Sequence, residues 1–190
     1  MLSGRFRELE QERLERLILE WLDVERQRGS FQVASLEQKR PIKIGPLETS
    51  VRIDRVDRLP DGGQVMLDYK TNRKAPSAWD GDRPEEPQIP LYAATLEGDL
   101  AAVAFAQVVP GKFAFRGHAA NAAVLPGVRV KEEWAPMIAT WLSVLETLAG
   151  RFTEGQAELD PKKGELTCRA CDLTALCRIE ERIELAGEDS

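Results

Sequence analysis

The spacing of apolar positions changes along the first half of the chain. Residues 5–28 alternate Glu and Arg around apolar residues three and four positions apart, which indicates an amphipathic helix with its polar face in water. From residue 31 to residue 69 the period shortens toward two, and breakers at residues 45–46 and 60–63 divide this stretch into three segments. We expect three strands in an antiparallel meander.

The second half predicts further helices and strands around a central sheet. Residues 71–87 are rich in Pro, Gly and charge and predict a loop. Then come a short helix from residue 88, a strand within 101–110, its hairpin partner within 111–119 and a long helix over about 131–152. This order favours a mixed α/β or α+β domain whose mixed sheet is flanked by helices.

A compositional change near Asp160 predicts a separate tail. It holds a PKKG turn, all three cysteines, a predicted short helix over about 173–185 and a polar end. We therefore expect a core domain over residues 1–159 and a small cysteine lobe over residues 160–190.

Composition restricts the class of protein. At 43% hydrophobic and 31% charged residues, the chain has the balance of a globular domain that can bury a core. Its apolar runs are far shorter than the roughly 20 residues of a membrane span, and its start is too charged for a secretory signal. We expect a cytoplasmic protein with no membrane partner.

Charge is unevenly distributed within a net charge of -6. Residues 39–83 hold 10 basic and 7 acidic residues, whereas residues 84–190 hold 10 and 17. The excess of 10 − 7 = 3 positive charges in the middle segment is either ordinary fluctuation or a local landing surface for a phosphate backbone.

The segment QVMLDYK contains the strongest chemical signal. Asp68 and Lys70 are two residues apart, so their side chains share one strand face while Tyr69 points to the other. The tight turn at residues 61–63 folds the preceding strand back and brings Asp54 toward Asp68. Two carboxylates and the Tyr69 backbone carbonyl suit Mg²⁺ or Mn²⁺. Lys70 can orient or help deprotonate an attacking water. Taken singly, such residues are usually solvated or salt-bridged surface groups.

Other charged residues surround this pattern. Arg55, Asp57 and Arg58 form either a charge network around the metal site or an exposed strand edge. Glu37 is either an acid that supports the site or a solvated strand residue.

The wider motif runs V-R-I-D-R-V-D, a Gly turn, V-M-L-D-Y-K-T-N, a charged loop and E-P-Q-I-P-L-Y, over residues 51–92. It resembles the RecB-like branch of the PD-(D/E)XK nuclease superfamily, and the likeness resumes at the cysteines. The resemblance implies a restriction-endonuclease-like core. Asp54 and Asp68 match the metal-binding acids of the family, and Lys70 matches its lysine.

The helix after the loop carries the family's Q-x-x-x-Y signature as Gln88 and Tyr92. A spacing of four puts both side chains on one helical face. The family implies that this pair lines the active site and contacts DNA or the catalytic lysine. A Tyr packed on the sheet and a Gln that caps the chain are the alternative.

The three cysteines form the pattern C-x-x-C-x5-C at Cys168, Cys171 and Cys177. Three thiols in ten residues suggest a structural zinc or an iron–sulfur cluster, with buried, reduced thiols as the alternative. The spacing resembles the C-terminal triplet of AddB-type nucleases, in which an upstream cysteine completes a 4Fe-4S cluster. This chain has no fourth cysteine, and His118 is its only spare soft ligand.

A second departure from the family concerns the first helix, which lacks the usual histidine ligand. Glu12, Glu15 and Glu20 are the acidic residues that can stand in for it. We expect the missing histidine and cysteine to precede residue 1, so that the chain is the C-terminal piece of a larger protein, weakly active by itself.

The resemblance implies a Mg²⁺-dependent deoxyribonuclease, most simply an exonuclease of bacterial DNA repair or recombination. DNA and a helicase-like partner or upstream region are the implied partners. No G-x-x-x-x-G-K-[ST] loop occurs in the sequence, so we expect no ATP hydrolysis. The alternatives are a degenerate nuclease fold that binds DNA or a partner without cutting, and a metal-stabilised scaffold whose function lies in the cysteines.

Overall fold

The computed structural model describes residues 4–79, 81, 83–169 and 171–178. They form a mixed six-stranded sheet with helices, which confirms the predicted fold class. The strands are β1 (Gln32–Ile44), β2 (Leu47–Arg58), β3 (Gln64–Lys70), β4 (Leu100–Gln107), β5 (Ala114–Ala119) and β6 (Arg129–Val130). The helices are α1 (Gly4–Glu25), α2 (Gln88–Thr95), α3 (Trp134–Thr153), α4 (Glu165–Cys168) and α5 (Thr174–Cys177).

The strands lie in chain order across the sheet. β1, β2 and β3 are antiparallel neighbours, as the meander prediction requires, and β5 is the antiparallel partner of β4. β3 and β4 run parallel, so the chain must cross from one end of the sheet to the other between them. The crossover over residues 71–99 contains a 3₁₀ turn at Pro76–Trp79 and helix α2. The sequence did not predict that turn or the short strand β6.

The turn between β2 and β3 has the glycine that its geometry requires. Gly62 has a φ of 93°, a value at which a side chain would be strained. The Leu59 amide donates to the Gly63 carbonyl at 2.8 Å, and the Asp61 carboxylate accepts from the Gly63 amide at 3.0 Å. This turn brings the carboxyl end of β3 back beside β2.

The sheet has a hydrophobic core on each face. Met66, Val103 and Phe105 belong to the core that includes buried residues of α2 and α3. Val65 and Leu67 alternate with them and belong to the other core, together with Trp21 of α1. The face that carries Met66 is called the α2 face below, and the face that carries Leu67 is called the α1 face.

Helix α1 matches the predicted element, but its apolar side is mostly in contact with solvent. Trp21 is its one buried residue. Its ring packs edge-on against Phe115 and Tyr69, with centroid distances of 5.0 and 6.0 Å. Other large apolar residues of α1 are exposed: Phe6, Leu9, Leu14, Ile18, Leu19 and Leu22. The helix is therefore fixed to the sheet through its C-terminal half.

The chain separates into two compact units, Met1–Gly150 and Arg151–Ser190. The predicted boundary between residues 159 and 160 stays a prediction. The described part of the second unit contains the last residues of α3 and the short helices α4 and α5. Most of the helix predicted over residues 173–185 lies outside the described residues. Within the described residues, the helices are too short or too polar to span a bilayer.

Candidate active site

Asp54 lies where β2 separates from β3. The paired register runs from Arg58 opposite Gln64 to Arg55 opposite Leu67, and Asp54 is the next residue along β2. Its carboxylate oxygen Oδ2 accepts a hydrogen bond from the backbone amide of Tyr69 at 2.8 Å. The Asp54 side chain thus accepts the hydrogen bond of the Tyr69 amide, which lies past the last paired residues of β2 and β3. This bond holds the Asp54 carboxylate against the β3 segment that contains Asp68 and Lys70.

Asp68 and Lys70 share one face of β3, as strand alternation predicts. Asp68 is only 2% exposed, and its Oδ2 lies 2.5 Å from the Lys70 ammonium. The ammonium is 6.0 Å from the centroid of the Phe105 ring, which belongs to the α2 face. The acid is therefore buried beside the apolar core, while the lysine reaches from the same face toward solvent.

Several charges act on the Asp68 carboxyl. Burial raises its pKa above the ordinary value, because the charged form loses its hydration. The hydrogen bond and positive charge of Lys70 lower the pKa, whereas the negative charges of Asp54 and Glu86 raise it. The raising effects prevail. These four groups are therefore electrostatically coupled, and ionised Asp68 is a group that a further cation would stabilise.

Helix α2 brings the Q-x-x-x-Y pair to the same side of the sheet. Tyr92 is buried in the core of the α2 face. The Gln88 amide Nε2 donates to the Tyr92 hydroxyl at 3.0 Å. Gln88 lines an open cleft of about 570 Å³ together with Lys70 and Glu86. Tyr92 thus lies in the core and Gln88 at the cleft, with a hydrogen bond between them. A contact of this pair with DNA or with Lys70 stays a prediction.

The loop after β3 contributes residues that the sequence patterns missed. Lys74 and Glu86 form an ion pair across the two ends of this loop. Gln107, buried at the end of β4, donates from Nε2 to the Lys74 carbonyl at 2.8 Å. The Trp141 indole donates to the Trp79 carbonyl at 3.2 Å, which fixes the 3₁₀ turn to α3. Glu86 lines the cleft and acts on the Asp68 carboxyl, and its place two residues before Gln88 is the sequence feature that could have indicated this.

The donor groups of the site fit a hard divalent cation. Asp54 and Asp68 offer carboxylate oxygens, and β3 supplies the Tyr69 carbonyl. Mg²⁺ commonly binds proteins through one or two carboxylates and keeps several waters. Among the described residues, no group of three His, Cys, Asp or Glu side chains is arranged to hold a metal ion. A metal ion bound here would therefore take its acidic ligands from Asp54 and Asp68 and its remaining ligands from waters or phosphate oxygens.

The acids of α1 are not gathered with these two carboxylates. The buried residue of α1, Trp21, packs on the α1 face, whereas Asp68 lies on the α2 face. Glu12, Glu15 and Glu20 are exposed. The interpretation of these acids as replacements for the family's histidine is wrong, because the helix packs on the opposite side of the sheet.

The charge network predicted from R-I-D-R-V-D exists but has a different position. Arg55 donates from Nε to Asp57 Oδ1 at 2.7 Å, and both residues are buried on the α1 face. Arg58 is exposed. Glu37 forms an ion pair with Arg52 at 2.9 Å, in which both side chains are more than half exposed, so it is a solvated strand residue.

The cysteines lie in the second compact unit as free thiols. Cys171 is exposed, whereas Cys168 and Cys177 are half-buried. The described part of the chain does not arrange them as a metal-ligand set. His118, the candidate soft ligand, is buried in β5 and packs edge-on against Trp79 at 5.4 Å. The 4Fe-4S cluster stays a prediction.

Comparison with known proteins bears on the family to which this chain belongs. No curated protein matches the chain. A solved structure described as the crystal structure of SSO0001 is similar over 75% of this chain, with 16% sequence identity and a TM-score of 0.40. The chain spans 59% of the length of that structure. The model of the PD-(D/E)XK nuclease superfamily matches residues 3–178. The chain therefore belongs to the PD-(D/E)XK nuclease superfamily.

Proposed function

We propose that this chain is a Mg²⁺- or Mn²⁺-dependent deoxyribonuclease that hydrolyses phosphodiester bonds. The observation that carries the proposal is the hydrogen bond from the Tyr69 amide to the Asp54 carboxylate. It joins one acid to the strand end that holds the other acid and the lysine. The open cleft beside Lys70 gives a phosphate group access to this strand end.

The proposed roles follow from the chemistry of each group. Asp54, Asp68 and the Tyr69 carbonyl would hold the metal ion, which supplies Lewis-acid polarisation of a phosphoryl oxygen. The Lys70 ammonium is held 2.5 Å from Asp68 and borders the cleft, where it orients the attacking water and offsets negative charge at phosphorus. Lys70 is thus the proposed positioned cation for the transition state.

Gln88 and Tyr92 are the proposed contacts with the DNA strand. The Gln88 side chain borders the cleft, and its carboxamide oxygen can accept a hydrogen bond while Nε2 donates to Tyr92. Tyr92 is fixed in the core, so it limits the positions that the Gln88 amide adopts. The pair therefore presents a pre-oriented polar group to the substrate.

The finer assignment rests on sequence spacing. The motifs over residues 51–92 and the cysteine triplet support a RecB-like, AddB-type nuclease. We propose on that basis an exonuclease of DNA repair or recombination in the cytoplasm, with a helicase-like partner or region. The spacing of Cys168, Cys171 and Cys177 supports an iron–sulfur cluster, which would need a further ligand beside these three cysteines.

A nuclease fold that binds DNA without cutting is the second candidate. One observation favours it: among the described residues, no group of three His, Cys, Asp or Glu side chains could hold a metal ion. The Lys70–Asp68 pair favours cleavage, because it places a cation beside the cleft and next to a proposed metal ligand, where it can offset charge at phosphorus.

A cleavage assay distinguishes these functions. The chain is incubated with labelled linear single-stranded, linear double-stranded and closed circular DNA, in Mg²⁺, in Mn²⁺ and in EDTA. We expect metal-dependent products that EDTA abolishes, and degradation of linear DNA alone if the enzyme is an exonuclease. DNA binding without products in either metal would support the non-cutting fold. Iron and zinc analysis of the same sample tests the cysteine proposal.

A further inference from the structure

The α1 face of β2 and β3 contains a closed ring of four buried charges. Arg55 contacts Asp57 at 2.7 Å and Glu25 at 2.9 Å. Arg28 contacts the same two acids, at 2.7 Å to Asp57 and 2.9 Å to Glu25. The four side chains are at most 10% exposed. Two cations and two anions thus balance one another between the end of α1 and strand β2.

Stability alone does not explain this ring. Desolvation of buried ion pairs offsets most of their attraction, and well-packed apolar residues often stabilise a protein as much or more. Arg28 is also incompletely bonded, because its Nε and Nη2 atoms are buried and hydrogen-bond to no described residue. Its guanidinium instead lies 3.9 Å from the Phe31 ring centroid. A geometric role is the better explanation.

The ring reaches the active site through Tyr69. Arg55 Nη1 donates a hydrogen bond to the Tyr69 hydroxyl at 2.9 Å. Arg55 follows Asp54 directly in β2, and Tyr69 lies between Asp68 and Lys70 in β3. Two bonds therefore cross from β2 to β3 at the same level: Arg55 to the Tyr69 side chain on the α1 face, and Tyr69 amide to the Asp54 carboxylate at the separation of the strands.

We propose that Arg55 and Tyr69 are positioning residues, which hold the Asp54 carboxylate beside Asp68 by fixing both ends of Tyr69. The Arg55 guanidinium is itself held by Asp57 and Glu25, so its direction does not depend on the bond to Tyr69. Loss of the Tyr69 hydroxyl leaves Tyr69 with one hydrogen bond to β2 where it had two. The Asp54 carboxylate then moves more freely, and a metal ion held by Asp54 and Asp68 binds less tightly. This inference rests on the proposed metal site.

Tyr69→Phe is the decisive variant, because it removes one oxygen and retains the ring that packs against Trp21. Two readouts are measured on the full chain: the Mn²⁺ dissociation constant by calorimetry, and the exchange rate of the Tyr69-position amide relative to the buried Val65 and Leu67 amides by NMR. We expect both to increase about three- to tenfold, the range for loss of one hydrogen bond. Unchanged values for both would overturn the positioning role.

A second pair of variants separates positioning from general folding. Arg55→Gln breaks the ring and the bond to Tyr69, whereas Arg52→Gln changes an exposed arginine on the other side of Asp54. We expect Arg55→Gln to weaken Mn²⁺ binding more than Tyr69→Phe does, and Arg52→Gln to leave it unchanged. Equal effects of the two arginine variants would also reject the proposal.

The proposed function has its own control in the same experiment. If wild-type protein binds Mn²⁺ and Asp68→Asn does not, the proposed metal site is supported. The Tyr69→Phe result then tests the positioning role of Arg55 and Tyr69. If wild-type protein binds no Mn²⁺, the metal site is rejected. Amide exchange in Tyr69→Phe then still decides whether Arg55 and Tyr69 fix the Asp54 contact.

Discussion

Strands β2 and β3 use charge differently on their two faces. On the α1 face, two arginines and two acids form a closed ring whose charges balance. Burial alone would lower the pKa of Arg55, but hydrogen bonds to Asp57 and Tyr69 outweigh this effect and raise it. Arg55 therefore stays charged, and its geometry is set by its contacts with Asp57 and Glu25.

On the α2 face the charges do not balance locally. Burial raises the pKa of Asp68, the negative charges of Asp54 and Glu86 add to this effect, and the Lys70 ammonium offsets only part of it. A balanced ring has no need of a ligand, whereas a buried acid among other acids gains from a divalent cation. The comparison supports the proposal that the α2 face holds the metal ion and that the α1 face has a structural role.

The largest expected effect is that of Asp68→Ala on the α2 face. This change deletes a metal ligand, so we expect Mg²⁺-dependent cleavage to fall to background and Mn²⁺ binding to fall below detection. Cleavage is measured under single turnover and metal binding by calorimetry. Cleavage by Asp68→Ala at the wild-type rate would show that the metal site lies elsewhere.

The corresponding change on the α1 face is Glu25→Gln, which removes one acid from the buried ring. Loss of one partner leaves a buried arginine uncompensated, so we expect the free energy of unfolding to fall by about 3–5 kcal/mol in urea denaturation. Glu10→Gln is the matched control on the same helix, since Glu10 pairs with Arg13 in solvent. Similar destabilisation by both variants would remove the distinction between a buried ring and surface pairs.

A smaller effect is expected for Tyr92→Phe, which removes the hydroxyl bonded to Gln88. Loss of one hydrogen bond corresponds to about 1 kcal/mol, so the cleavage rate is expected to drop about fivefold while Mn²⁺ affinity stays unchanged. Rates at saturating metal and a Mn²⁺ titration measure the two quantities. A change in metal affinity without a change in rate would place Tyr92 among the supports of the metal site instead.

The smallest expected effect concerns stability without metal. The raised pKa of Asp68 means that its ionised form destabilises the folded, metal-free protein, and this cost develops as pH rises from the unfolded pKa through the folded pKa. Asp68→Asn should therefore raise the melting temperature in EDTA at pH 7 to 8. The gain should vanish below the ordinary Asp pKa, where Asp68 is protonated in both states. If Asp68→Asn raised the melting temperature by the same amount at every pH, the ionisation of Asp68 would not be the cause.

Local rules explain why part of the site could be predicted from the sequence. Strand alternation makes Asp68 and Lys70 share a face, and the turn at Gly62 returns β3 to β2. The hydrogen bond from the Tyr69 amide to Asp54 depends on where β2 separates from β3, which no spacing reveals.

Contacts between distant segments could not be predicted. Glu25 meets Arg55 across 30 residues, and the position of Glu86 depends on an irregular loop. The same limit applies to the α1 acids, whose separation from Asp68 follows from the side of the sheet on which the helix packs. The cysteines lie in short helices and turns, where no regular period sets the directions of their side chains.

A Mg²⁺ titration of cleavage by wild-type protein and Lys70→Ala tests the central claim most directly. Lys70 is a positioned charge that borders the cleft, so its loss is expected to lower the saturating rate roughly 10²- to 10³-fold. The protein should still fold and bind DNA, and the saturating rate should stay low at any Mg²⁺ concentration. A Lys70→Ala variant with near wild-type cleavage would contradict the role of the acid–lysine pair.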